Sequence, residues 1–214
     1  MSRITLFGGT GYVGSNVAKH AVARGHQVTV VSRNEPADKI AGVNYVTGTV
    51  TDRELVTKLL AESDVAFSSI TPRGDLSETF VDEMLALAEA CRKAGVRFGS
   101  AGGAGSLHVS EGGPLLMDTE GFPPMVRPGS VIMTEVLAAL RKTPDDLDWF
   151  VISPAAGFRV GEPGEATGHY RIGGDVLVTD EAGNSFISGS DLGLAVVDEI
   201  ETPKHHRARF TVAY

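Results

Sequence analysis

The sequence predicts an α/β protein built on a doubly wound parallel sheet, and three observations carry that prediction. In the N-terminal half, short β-branched apolar runs alternate with longer amphipathic ones, which is the rhythm of βαβ units. The short runs, such as Val28-Thr29-Val30-Val31, are nearly continuous in apolar character, as in strands buried on both faces. The first of them, Ile4-Thr5-Leu6-Phe7, runs into glycines at Gly8, Gly11 and Gly14 and then into an amphipathic helix.

The elements follow in order. Strands are expected at about 3–7, 27–32, 43–47, 64–69 and 96–100, with helices at about 12–24, 52–62 and 77–94 between them. Gly25 and Gly95 sit where helix-ending glycines belong. The third helix carries Phe80, Met84, Leu87, Ala88 and Cys91 as an apolar stripe. Residues 101–129 are rich in Gly and Pro and read as a long loop. A helix at about 130–142 follows, with Ser130 as its cap and Ile132, Val136 and Leu140 on one face, then the strand Trp149-Phe150-Val151-Ile152. A second Gly/Pro-rich loop spans 153–168. Short strands at about 169–172 and 176–179 precede a helix at about 190–201, capped by Ser190 or Asp191. The strand Arg209-Phe210-Thr211-Val212 comes last. Loops this long are usually functional. Both follow strands at the edge where open α/β sheets bind ligands.

Composition narrows the class. At 214 residues and 42% hydrophobic content, one domain spanning 1–214 needs no metal or disulfide staple. The lone Cys91 lies in an apolar helical run, which fits a reducing cytoplasm. Met1-Ser2-Arg3 leads directly into a strand, so no leader segment is expected, and no apolar run approaches the ~18 residues of a membrane span. A net charge of −8 without a basic stripe disfavours nucleic acid. A small-molecule partner and a monomer or homodimer remain. The pair His205-His206 lacks further ligands at metal spacing, so no metal is expected. No G-x-S-x-G nucleophile turn follows a strand.

The G-x-x-G-x-x-G rhythm after a strand and before a helix is a dinucleotide fingerprint. Its glycines give a tight turn, close approach to a pyrophosphate and close helix–strand packing. The helix N-terminus adds a positive dipole end. Gly8, Gly9, Thr10, Gly11, Tyr12, Val13 and Gly14 are therefore candidate cofactor residues. After the second strand the chain reads Ser32-Arg33-Asn34, with no acid until Glu35. An acid there would bind a ribose 2′-hydroxyl, whereas Arg33 can fork onto a 2′-phosphate, with Ser32 and Asn34 donating beside it. NADP(H) is thus expected over NAD(H). Strand ends supply the remaining candidates: Thr49 and Val50 near the adenine, and Ser69, Ile70 and Thr71 near the ribose. Arg73 is a candidate for an anionic group, Ala101, Gly102 and Gly103 follow the fifth strand, and Ser153, Pro154, Ala155 and Ala156 are placed near the nicotinamide.

With these residues in view, the chain resembles the atypical short-chain dehydrogenase/reductases. More narrowly it is similar to the NADH–flavin reductase group, related to biliverdin reductase B and to the NmrA-like proteins. The resemblance spans nearly the whole chain. It is carried by the glycine loop, by Gly102-Gly103-Ala104-Gly105-Ser106-Leu107, by Leu147-Asp148-Trp149-Phe150-Val151-Ile152-Ser153-Pro154 and by Tyr170-Arg171-Ile172-Gly173-Gly174-Asp175. It continues through Ile187-Ser188-Gly189-Ser190-Asp191-Leu192-Gly193 and the final strand, and the stretch Arg73-Gly74-Asp75-Leu76-Ser77 resembles a loop of biliverdin reductase B. The resemblance implies a Rossmann-type sheet with a small C-terminal substrate lobe at about 154–180. It also implies NAD(P)H-dependent reduction of a flavin or quinone-like acceptor, with flavin as substrate rather than tightly bound group. Sugar-nucleotide epimerases of this type carry a much larger C-terminal domain.

The usual Tyr-x-x-x-Lys pair is missing: none of Tyr12, Tyr45, Tyr170 or Tyr214 has Lys four residues on. Hydride transfer to a flavin asks mainly for positioning and takes its proton from solvent, so the absence fits that chemistry. Ser106, as a hydrogen-bond donor, and His108, as a general acid, are the candidate catalytic residues. A non-catalytic NADP(H) sensor of the NmrA-like kind is the alternative, and an NAD(P)-dependent epimerase or dehydratase a third.

Overall fold

The computed structural model describes residues 1–160 and 164–214. The chain runs β1 (Arg3–Phe7), α1 (Tyr12–Ala23), β2 (Gln27–Ser32), β3 (Val43–Thr47), α2 (Arg53–Leu60), β4 (Val65–Ser68), α3 (Phe80–Ala94) and β5 (Arg97–Ala101). It continues through α4 (Arg127–Leu140), β6 (Trp149–Ser153), β7 (Arg171–Gly173), α5 (Gly189–Glu201) and β8 (Ala208–Ala213). The strands form one sheet in the order β3-β2-β1-β4-β5-β6-β8-β7. Every pairing is parallel except β7 with β8.

Side-chain alternation along the strands builds a core on each face. Leu6, Val28, Val30 and Phe210 face α1 and α5, while Phe7, Val31, Phe98 and Trp149 face α2, α3 and α4. Each fully buried Leu or Phe contributes about 1.5–3 kcal/mol. The helices α1 and α5 approach closely because α5 presents glycines: a Cβ on Gly193 would stand 2.7 Å from the carbonyl carbon of Asn16.

Three sequence expectations change. The helix expected from Ser130 begins at Arg127 with Pro128 in its first turn, where a missing N–H costs nothing. Ser130 lies inside α4 and donates to Val126 O at 3.2 Å. The cap of α5 is Ser188, whose hydroxyl accepts from the Asp191 amide at 3.0 Å; Ser190 and Asp191 are already helical. The expected strand at 176–179 does not form, because Leu177 N donates to His108 O and Val176 makes a single bridge to His108 instead of joining the sheet. The loop expected over 153–168 includes 161–163, which lie outside the described residues. No described helix is long and apolar enough to cross a membrane.

Candidate functional site

The chain leaves β1 toward β2 on one side and later returns to β4 on the other. The carboxyl ends of these strands therefore flank a crevice at a topological switch point. Gly8 turns there with φ +80°, a left-handed conformation that favours glycine. A Cβ on Gly9 would lie 2.6 Å from Val30 Cγ2, and one on Gly14 would lie 2.5 Å from Gly8 O. Only glycines let α1 begin this close to the strand. The Val13 and Gly14 amides belong to the first turn of α1, where amides lack intrahelical acceptors and meet the positive dipole end. A diphosphate fits this cradle.

Beside it runs a cleft of about 280 Å³, lined by Gly8, Thr10, Gly11, Ser32, Arg33 and Thr49, by Val50, Ser69, Ile70, Thr71 and Arg73, and by Phe7, Val31, Gly48 and Leu76. These lining residues include two arginines and no carboxylate, in a chain of net charge −8. Among the described residues, the side chains of Arg33 and Arg73 have no hydrogen-bond or ion-pair partner. Both cations are therefore available to an anionic ligand. Glu35, the nearest acid after Arg33, pairs instead with Lys39.

Several predicted residues come together here, but some hydroxyls are already used. Ser32 donates to Asn34 O at 2.8 Å, so it shapes the turn that presents Arg33 rather than offering its proton to a phosphate. Ser69 donates to Gly8 O at 3.1 Å and locks the glycine loop. Thr49 Oγ1 accepts from Thr51, and Val50 is buried. Ala101 ends β5 and Gly102 and Gly103 follow it, with Gly102 N donating to Ile152 O at 2.7 Å. A Cβ at Gly102 would meet Val151 Cγ1 at 2.8 Å. Ser153 and Ala155 are buried, whereas Pro154 is half-buried and Ala156 exposed. Tyr12 opens α1 and packs on Phe158 with ring centroids 5.6 Å apart.

Ser106 and His108 do not line this cleft. Ser106 is buried and accepts from Arg209 Nη1 at 3.0 Å, and Arg209 also pairs with Asp175. Burial works against the Arg209 charge and lowers its pKa. His108 Nδ1 lies 2.7 Å from Gly113 O. A carbonyl only accepts, so Nδ1 donates in this contact and fixes the ring. Sequence reasoning missed Arg209, because its partner Ser106 is distant in the chain and no motif links them. The α4 segment that replaces the usual Tyr-x-x-x-Lys helix holds neither residue: it reads RPGSVIMTEVLAAL.

A glycine turn at the switch point of a doubly wound sheet, opening onto a cationic groove, defines a dinucleotide-binding protein of the short-chain dehydrogenase/reductase kind. A family profile described as NAD(P)H-binding matches residues 8–203, and the chain belongs to that family. Three solved structures are similar over essentially their full length. A candidate exported protein of Burkholderia pseudomallei is 40% identical with TM-score 0.88, over 100% of both chains. A candidate epimerase of Bacteroides thetaiotaomicron is 35% identical with TM-score 0.88, over 99% of this chain and 96% of the other. A candidate NADH-flavin reductase of Streptococcus pneumoniae is 28% identical with TM-score 0.88, over 100% of this chain and 99% of the other.

Proposed function

We propose that the protein is an NADP(H)-preferring oxidoreductase that reduces a flat acceptor such as a flavin or quinone. The observation that carries the reading is the pair of unpartnered arginines, Arg33 and Arg73, in a groove without carboxylates. Arg33 would hold the 2′-phosphate, the glycine loop the pyrophosphate and Thr49–Val50 the adenine side. The bound cofactor would supply a hydride. The chain would orient it and shield it from water, and solvent would supply the proton that completes acceptor reduction. The missing Tyr and Lys on α4 agree with an acceptor that needs no protein acid. Residues 154–180 serve as the substrate lobe of a single domain in this reading, although β7 within them joins the main sheet. The buried lone Cys91 supports a cytoplasmic location. The name of the Burkholderia relative points to export, and cell fractionation decides between the two.

The test is titration with NADPH and NADH, followed by addition of FMN, FAD and a small quinone. Tight NADPH binding with acceptor-dependent oxidation supports the reading. One observation favours the sensor alternative: Ser106 and His108 are both held by protein partners. Tight binding without turnover on any acceptor would establish that alternative.

A further inference from the structure

We propose that Asp191 is the positioning residue of the acceptor side: its buried carboxylate fastens residues 165–168 to the start of α5 and thereby sets acceptor binding. The assignment rests on the oxidoreductase reading above. Asp191 is 1% exposed, and among the described residues no cation pairs with it. Four residues converge on it instead. Its Oδ2 accepts from Thr167 N at 2.7 Å, Thr167 Oγ1 at 3.1 Å, Ser188 Oγ at 3.2 Å and Tyr214 OH at 2.5 Å. Its Oδ1 accepts from Gly168 N at 3.0 Å.

A helix cap alone does not explain this arrangement. Ser188 already caps α5, so the carboxylate is left to serve the loop. A buried carboxylate is costly unless its lone pairs are met; here the Thr167 and Gly168 amides, the two hydroxyls and the N-terminal end of α5 meet them. The Tyr214 hydroxyl also lies 3.0 Å from Glu165 O and accepts from Ser188 N at 3.1 Å, which draws residue 165 into the same clasp.

The fastened segment lies outside the cleft that holds Arg33 and follows β6, on the opposite side of β1 from β2. Residues 154–160 leave the carboxyl end of β6 and bring Phe158 onto the ring of Tyr12, at the mouth of the glycine loop. Residues 164–168 come back to Asp191 at the start of α5. In the oxidoreductase reading β1, β2 and α1 would hold the cofactor's phosphates, and the segment after β6 would define the space beside the reacting end.

Three variants test the assignment: Asp191→Asn, Thr167→Val and Tyr214→Phe. The readouts are amide exchange at Thr167 and Gly168, NADPH Kd by fluorescence titration, and kcat and KM with FMN as the probe acceptor. Asp191→Asn turns one acceptor into a donor facing amide donors. It should speed exchange at both amides and raise the FMN KM ~10-fold, about what losing a charge-assisted hydrogen bond gives, with NADPH Kd changed less than ~3-fold. Thr167→Val and Tyr214→Phe should move the same quantities by smaller factors, and they carry the comparison if Asp191→Asn does not fold. An unchanged FMN KM in active protein overturns this assignment alone, as does an NADPH Kd that rises in step with KM. Wild-type protein that binds NADPH but reduces no acceptor overturns the oxidoreductase reading together with this assignment.

Discussion

Gly189 lies against the ring of Tyr12: a Cβ at Gly189 would stand 2.4 Å from the ring Cζ and 2.4 Å from the hydroxyl oxygen. The contact joins the first turn of α5 to the first turn of α1, so the residue that opens the glycine-loop helix rests on a helix from the other end of the chain. Gly189→Ala forces that ring to move. The overpacking should cost about 1–3 kcal/mol, which for a chain of this size lowers Tm by roughly 2–12 °C. It should also weaken NADPH several-fold, because α1 tilts away from the phosphates. Thermal melts with and without NADPH check both; an unchanged melt means the ring has free room.

Arg33→Ala removes the cation proposed to hold a 2′-phosphate. A charge-assisted hydrogen bond is worth about 1.5–3 kcal/mol, or roughly 10- to 150-fold in Kd. NADPH should weaken by that factor, with NADH within about 3-fold. Calorimetry with both cofactors makes the comparison. Equal weakening of the two sinks the phosphate assignment.

Acid stability should depend on Asp191 and Glu199. Burial opposes ionisation of both. The hydrogen bonds from Tyr214, Thr167 and Gly168 to Asp191, and from Arg97, His205 and Lys204 to Glu199, more than offset it, so both folded-state pKa values lie below the ordinary carboxylate value. A depressed folded-state pKa means the unfolded chain binds the proton more tightly. The stabilisation is therefore complete above about pH 4.3 and is lost as pH falls through the folded-state values. The urea midpoint should drop as pH is lowered from about 4.3 through the folded-state values, and Asp191→Asn should flatten part of that drop. A midpoint that holds constant across this window contradicts the argument.

Cys91 should be chemically silent in the folded protein. It is fully buried in α3, and burial pushes its thiol up to about 12. The thiolate, which is the reactive form, is scarce at neutral pH. Iodoacetamide at pH 8 should label the denatured chain and leave the native one unmodified by intact mass. Rapid native labelling would show that α3 opens locally.

The strands and helices through β5 were legible because each has a local cause: β-branched apolar runs, an apolar stripe from Phe80 to Cys91, and glycines where helices end. Legibility fell in the C-terminal half. Ser130 looked like a cap because hydroxyls favour that position, but Pro128 fits the first turn and the helix starts earlier. The run at 176–179 has strand composition, yet its partner is the loop at His108, and composition does not name partners. Within the candidate site, the glycine loop and Arg33 could be read from spacing alone. The buried fork of Arg209 on Ser106, and the convergence of Thr167, Gly168, Ser188 and Tyr214 on Asp191, could not. Each joins segments that only folding brings together.

The sequence by itself determined the parallel sheet, the glycine cradle and an arginine just after the second strand, where it lines the cleft. These follow from local sterics and from the period of apolar side chains, which act over a few residues. The tertiary structure decided which polar groups remain available to a ligand. Ser32, Ser69, Ser106 and His108 are all suitable by type. Whether each is free depends on the carbonyl, guanidinium or amide that packing places within about 3 Å, and the hydrophobic collapse of the two sheet faces sets that placement.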